Sequence, residues 1–428
     1  MTSLATAAPR TRARYGILGL IAAGTLINYL DRTILGIAAP SLSKDLEIDP
    51  ALMGVIFSAF SWSYAAAQIP GGAFLDRFGS KVTYMLSLVS WSLMTLLHAL
   101  ASGVASLISL RIALGVAEAP CFPANSRIVA TWFPQSERAF ATGVYTVGEY
   151  IGLAFLSPIL FFMLAHFGWH SLFLLGGGIG LIFSLIWWRK YREPRDHNGL
   201  GEPERAHIVA GGGLIEGAVS ARIDWRDAGK LLRHRQMWGI CVGQFAGNST
   251  LVFFLTWFPS YLATERQMDW LKIGWFAVLP FIAASVGVLA GGLWSDGMLK
   301  RGMSATFARK VPIVTGLLLA STIVSANYVQ NDNLVIAIMS VAFFAQGMAA
   351  LGWTLVSDIA PKGMLGVTGG VFNFAANLAG IITPLVIGAI VSATGSFVGG
   401  LAYIGVLALL GAFAYIVILG DVRRIEIA

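Results

Sequence analysis

The chain has 428 residues, of which 56% are hydrophobic and 12% are charged, with a net charge of +7. Soluble domains carry about 25% charged residues, so this composition excludes a soluble globular enzyme and implies a polytopic membrane protein. The two cysteines, Cys121 and Cys241, both fall in apolar stretches and have neither disulfide-framework nor metal-site spacing.

A bilayer core takes about 20 apolar residues per helix. In chain order, windows of that kind fall at 16–39, 52–73, 82–102, 104–126, 139–163, 170–188, 237–262, 272–295, 311–329, 333–356, 366–391 and 398–420. The fold class expected is an all-α integral membrane protein of twelve transmembrane helices. The first span follows Arg14, and it is too long and lacks the small-residue cleavage site of a secretory leader. Between the sixth and seventh spans lies a polar stretch with Pro194, Pro203 and the run Gly211-Gly212-Gly213. The domain reading is therefore a first six-helix half at 1–189, a linker at 190–236 and a second half at 237–428. A surface helix along the membrane is expected over Asp224–Arg235.

With the N-terminus inside, inside segments hold 24 of the 29 Lys and Arg residues and outside segments only Lys44, Arg266 and Lys272. That asymmetry places both termini in the cytoplasm. It also explains the basic balance through topology, without a nucleic-acid partner. The remaining two, Arg32 and Arg111, sit inside apolar spans.

The halves repeat each other. Asp76 after the second span corresponds to Asp296 after the eighth, an offset of 220. Pro134 corresponds to Pro361, an offset of 227, and Pro158 to Pro384, an offset of 226. Near-constant offsets argue for duplication, and paired six-helix halves are the architecture in which a central site opens alternately to each side. The stretch Gly72-x-x-x-Asp76-Arg77-x-Gly79-x-Lys81 resembles the signature of the major facilitator superfamily. Its glycines are expected to allow close helix approach. Its charges, with Asp296, are expected to bond across the cytoplasmic ends and bias a two-state equilibrium.

Charge at bilayer depth costs on the order of 3 kcal/mol per residue even on lenient scales, so buried ionisable groups mark function. Asp31 and Arg32 lie in the first span, Arg111 and Glu118 in the fourth and Glu149 in the fifth. Arg111 and Glu118 are seven apart, which puts them on one helix face. Counting depth from the outer ends gives an outer layer of Asp31, Arg32 and Arg111, with Glu118 and Glu149 beneath. An arginine grips a carboxylate in two-pronged fashion and stays charged, whereas a buried carboxylate can take up a proton. Arg32 and Arg111 are therefore the candidate anion holders, and Asp31 and Glu118 the candidate proton carriers.

Asn28-Tyr29-Leu30-Asp31-Arg32, together with Arg111 through Pro120, resembles the anion:cation symporter family, whose bacterial members include importers of galactonate, glucarate and hexuronates. Gly148 through Pro158, Phe254 through Pro259 and Phe372 through Gly380 are similar to its galactonate branch. The resemblance implies proton-coupled import of a sugar acid through a bacterial inner membrane, with cavity positions at Tyr29, Tyr64, Gln244, Trp353 and Asn373. Asn377 shares a helix face with Asn373, and Ser61, Tyr64 and Gln68 form a polar stripe on the second span. Glu149 departs from the branch, which carries glutamine there. A third acid could change proton stoichiometry, alter substrate choice, or stay protonated as an amide-like donor. Nucleotide-binding and catalytic motifs are absent, so neither ATP nor any cofactor is expected. Because one chain holds both halves, a monomer is expected. The competing readings are a drug or metabolite exporter working by proton antiport, an importer of another organic anion such as an aromatic acid, and a receptor without transport.

Overall fold

The structure is a computed structural model that describes residues 11–215, 229–361 and 364–426; the side chains at 136, 139, 149, 365 and 366 lie outside that set. Every regular element among the described residues is helical. The first span, α1, runs Ala13–Asp45. Pro50–His98 is hydrogen-bonded as one stretch, but Gly79 within it has φ 74° and ψ 171°. Only glycine adopts that backbone without strain, so the stretch is two spans, α2 (50–78) and α3 (80–98). They are followed by α4 (Val104–Trp132), α5 (Arg138–Phe167) and α6 (Trp169–Lys190). The second half comprises α7 (Arg235–Thr256), α8 (Trp270–Lys300), α9 (Ala305–Tyr328), α10 (Asp332–Ile359), α11 (Leu365–Thr394) and α12 (Val398–Ile418). Residues 224–228 of the surface helix expected over Asp224–Arg235 lie outside the described residues; of the rest, 229–231 are helical and 232–234 form a turn.

Local chemistry repeats between the halves. Asp49 caps α2 by accepting from the amides of Ala51 and Leu52, and Asp269 caps α8 by accepting from that of Lys272. Each side-chain oxygen satisfies an amide that the first helical turn leaves unpaired. The two caps are separated by 220 residues, the offset of the Asp76 and Asp296 pair. Both α4 and α10 break in mid-membrane, at Ala119-Pro120 and at Ala350-Leu351. Pro120 cannot donate to the helix ladder, which accounts for the first break. Broken helices at matching depth expose backbone polar groups to a central cavity.

The core reveals how the halves meet. At the end of the bundle away from the start of α1 one apolar cluster takes residues from both halves, including Leu35, Phe57 and Phe161 with Phe253, Trp257 and Ile387. On the side that carries the start of α1 the apolar residues separate into one cluster in the first half, around Tyr84, Trp132 and Trp187, and another in the second, around Ile240, Leu355 and Tyr415. Glycines allow the outer contact. A methyl group added at Gly54 would fall 2.5 Å from the Pro384 carbonyl oxygen, and one at Gly388 would fall 2.5 Å from that of Pro50. The halves are thus joined at one end of the bundle and divided at the end where α1 starts.

The signature loop works within its own half. Asp76 lies 3.7 Å from Arg127 on α4, and Lys81 sits over the Trp188 ring of α6 at 4.6 Å. Arg77 rests over Phe78 at 5.3 Å. In the second half Arg309 bridges Asp296 at 3.3 Å and Asp358 at 3.2 Å. Among the described residues none of these charges bonds across to the opposite half, contrary to expectation, because the two halves are apart at this end. Gly72 also differs from expectation: its Cβ position meets nothing within 4 Å, and it is Gly71 that packs on Pro120.

Candidate functional site

Between the halves lies a cavity whose wall includes Tyr29, Arg32, Ser61 and Arg111 from the first half and Asn248 and Asn377 from the second. Arg32 points from α1 toward α4, where its Nε donates to Glu118 Oε2 at 2.9 Å; Glu118 is completely buried. The Arg32 guanidinium lies within 4.8 Å of the centres of the Phe60 and Tyr64 rings, 5.2 Å of Tyr29 and 5.9 Å of Phe122. The Arg111 guanidinium is likewise 4.8 Å from the Phe60 ring. Aromatic faces attract cations where water is scarce, so one ring holds two arginines at the cavity wall. Both retain buried N–H groups with no hydrogen-bond partner, Nη2 of Arg32 and Nε of Arg111.

Asp31 departs from the expected outer layer. One residue along a helix is a 100° turn, and Asp31 accordingly faces the interior of the first half rather than the cavity. Only 2% of it is exposed. Thr95 and Trp91 of α3 lie beside it, as does Gly176 of α6, where an added methyl group would fall 3.0 Å from Oδ1. Arg32 pairs with Glu118 and not with its chain neighbour.

Of the other expected cavity residues, Tyr64 is buried behind Arg32 and stacked on Phe60 at 5.4 Å. Asn373 donates through Nδ2 to Oε1 of Gln68 at 3.2 Å, a hydrogen bond between the two halves. Asn377 donates to the Asn373 carbonyl at 3.0 Å. Gln244 faces α10, with its Oε1 3.1 Å from a methyl position at Gly352. Trp353 is half exposed and packs edge-on against Phe372 at 5.0 Å. Gln244, Trp353 and Asn373 thus lie outside the cavity's immediate wall. Glu149 belongs to α5, and its side chain lies outside the described residues. Phe60 and Phe122 were missed by sequence reading: aromatic residues abound in such spans, and only Phe60's place four residues ahead of Tyr64 singles it out.

Two six-helix halves, paired broken helices and a charged cavity at their interface define a membrane carrier of the two-halved kind. Residues 21–384 match the family model described as the Major Facilitator Superfamily, and the chain belongs to that family. It is 45% identical to a protein named D-galactonate transporter from Escherichia coli, across 98% of each chain. It is 43% identical to a probable galactarate/D-glucarate transporter of Escherichia coli K12, across 100% of this chain and 99% of the other. A solved structure, a bacterial homologue of the human lysosomal transporter Spinster in an inward-facing, unoccupied conformation, superposes with a TM-score of 0.73. That match covers 95% of this chain and 97% of the other at 18% identity, a likeness of fold.

Proposed function

We propose that the chain is a proton-coupled symporter that imports a sugar acid of the galactonate type by alternating access, across a bacterial inner membrane, as a monomer with both termini in the cytoplasm. The observation that carries this reading is the pair of arginines at the cavity wall, each with an unpartnered buried N–H. An unpartnered buried donor is costly, and a substrate carboxylate satisfies it. The names of the relatives above support the substrate class.

The charges supply the coupling. Arg32 and Arg111 contribute two positive charges, and ionised Asp31 and Glu118 two negative ones, so the described group sums to zero. A proton on Glu118 releases Arg32 from its 2.9 Å bond and leaves the wall with a charge of +1, which favours an anion. Without the proton, Glu118 competes with the substrate for Arg32. Proton and anion therefore bind together. Asp31 carries a second proton, and Glu149 in α5 a third titratable group. The amides of Asn373, Asn377 and Gln244, with Tyr29, Tyr64 and Trp353, read the hydroxylated body. The loops at Gly72, Asp76, Arg77, Gly79, Lys81 and Asp296 close the cytoplasmic side when the halves rock.

Purified protein in liposomes tests this. Labelled galactonate is expected to enter under an inward proton gradient, and Glu118→Gln is expected to abolish the gradient dependence. No uptake of galactonate or of a panel of other sugar acids, with or without the gradient, overturns the reading.

A further inference from the structure

We propose that His98 is the outer station of a proton path that runs through the interior of the first half to Asp31, separate from the substrate cavity. The proposal rests on the proton-coupled reading above. Trp91, Thr95 and His98 occupy one stripe of α3 at i, i+4 and i+7 and are 0%, 2% and 1% exposed. The inner part of the stripe faces Asp31 on α1. Trp91 Nε1, Thr95 Oγ1, His98 Nε2 and both Asp31 oxygens are buried without a hydrogen bond of good geometry, although Trp91 and Thr95 stand within hydrogen-bonding reach of Asp31. Such atoms cost on the order of 1–3 kcal/mol each and are few in native proteins, so a row of them in one seam calls for a reason. A row of polar atoms that water can bridge is what proton movement requires.

His98 suits the outer end of the row. It is the last residue of α3, and Leu100, two residues on, is 78% exposed at the outer surface. Its Nδ1 donates to the Met94 carbonyl at 2.7 Å, which leaves the lone pair of the neutral ring on Nε2. The ring lies flat on Phe173 of α6, 5.2 Å between centres at 17°, so Nε2 is held in place. The charged group facing it is Arg111 of α4, and α6 contributes the uncharged Phe173; Asp31 lies further along the stripe, beside Thr95 and Trp91. A proton from the outer solution binds Nε2 to give an imidazolium. It then leaves the same nitrogen and passes, by way of the Thr95 hydroxyl and bridging water, to the Asp31 carboxylate, which becomes neutral as the imidazole is restored. The substrate cavity, whose wall does not include Asp31 or His98, stays free for the anion.

The test is His98→Gln, which keeps the size and hydrogen-bonding capacity of the side chain and carries no proton. Galactonate uptake driven by an inward proton gradient is measured beside galactonate counterflow at equal pH, which needs no net proton movement. Gradient-driven uptake is expected to fall at least tenfold in His98→Gln, with counterflow within about twofold of wild type. Unchanged gradient-driven uptake overturns the proposal. Loss of both activities together also overturns it, since that marks a structural role. A wild type indifferent to the gradient refutes the proton-coupled reading itself, an outcome distinct from either.

Discussion

The two halves share a fold and repeat their caps and broken helices, yet their interiors differ. The first buries Asp31, Arg111 and Glu118, and most of its buried polar atoms without partners lie along α1, α3 and α4. Among the described residues the second half buries no charged side chain, and its unpartnered buried side-chain atoms are few: those of Thr250, Trp257, Gln346 and Thr383, with Arg266 at the outer rim. Duplication supplied one scaffold twice, and the copies then diverged in what they bury. Charge is expensive in a membrane, so under the proposed function the half that keeps it would serve the proton and the carboxylate, and the apolar half with its amides would serve selection.

That contrast can be broken by mutation. The largest effect is expected at Arg32→Ala, which leaves Glu118 buried without its partner. Losing one member of such a pair costs about 2–5 kcal/mol, so uptake at limiting galactonate should fall about a hundredfold or more; near-normal uptake would remove the charge asymmetry as an explanation.

Next comes Glu204→Ala in the linker helix Glu202–Ala210. Fully buried Glu204 accepts from the Thr11 hydroxyl at 2.6 Å, the Ala13 amide at 3.0 Å and Arg14 Nη1 at 2.8 Å, clamping the linker to the start of α1. Arg14 keeps Glu137 at 2.9 Å, so the loss is that of the charge-assisted bonds to Glu204, about 1–3 kcal/mol, read as a drop in melting temperature in detergent. The pair near the second half's end, Arg423 with Asp421, is 75% and 61% exposed. Asp421→Ala should leave the melting temperature unmoved, since exposed pairs contribute little.

A smaller effect is expected at the neutral residues of the second half. Asn377→Ala removes one neutral hydrogen bond, about 0.5–1.5 kcal/mol, and should raise the half-saturating galactonate concentration about two- to tenfold with proton dependence intact. A changed proton dependence would show that the division of labour is wrong.

The smallest is a pH effect on the clamp. Burial works against the charge on Glu137, but His207 at 3.0 Å and Arg14 at 2.9 Å hold its carboxylate below the usual 4.5. A lowered value means the stabilisation is present above the unfolded value and is lost as the pH falls through the folded one. Melting temperature should therefore fall more steeply below about pH 4.5 in wild type than in Glu137→Gln; parallel curves would show that Glu137 contributes nothing.

The sequence by itself determined the membrane class, the span count, the duplication and the identity of the intramembrane charges. Those depend on composition, period and offset, which are local along the chain. The 220-residue offset read from Asp76 and Asp296 recurs in the caps Asp49 and Asp269. What only the tertiary structure decided is which charge meets which. Asp31 and Arg32 are adjacent in the chain, yet a 100° turn sends one into the bundle and the other to Glu118, 86 residues away. Arg111 and Glu118 share a helix face, yet Glu118 is taken by another helix. The aromatic cage around Arg32 draws Phe60, Tyr64, Tyr29 and Phe122 from three helices, and the Gln68 and Asn373 bond joins residues 305 apart. Such pairings depend on how helices cross, and no spacing along one helix encodes the face its neighbour presents.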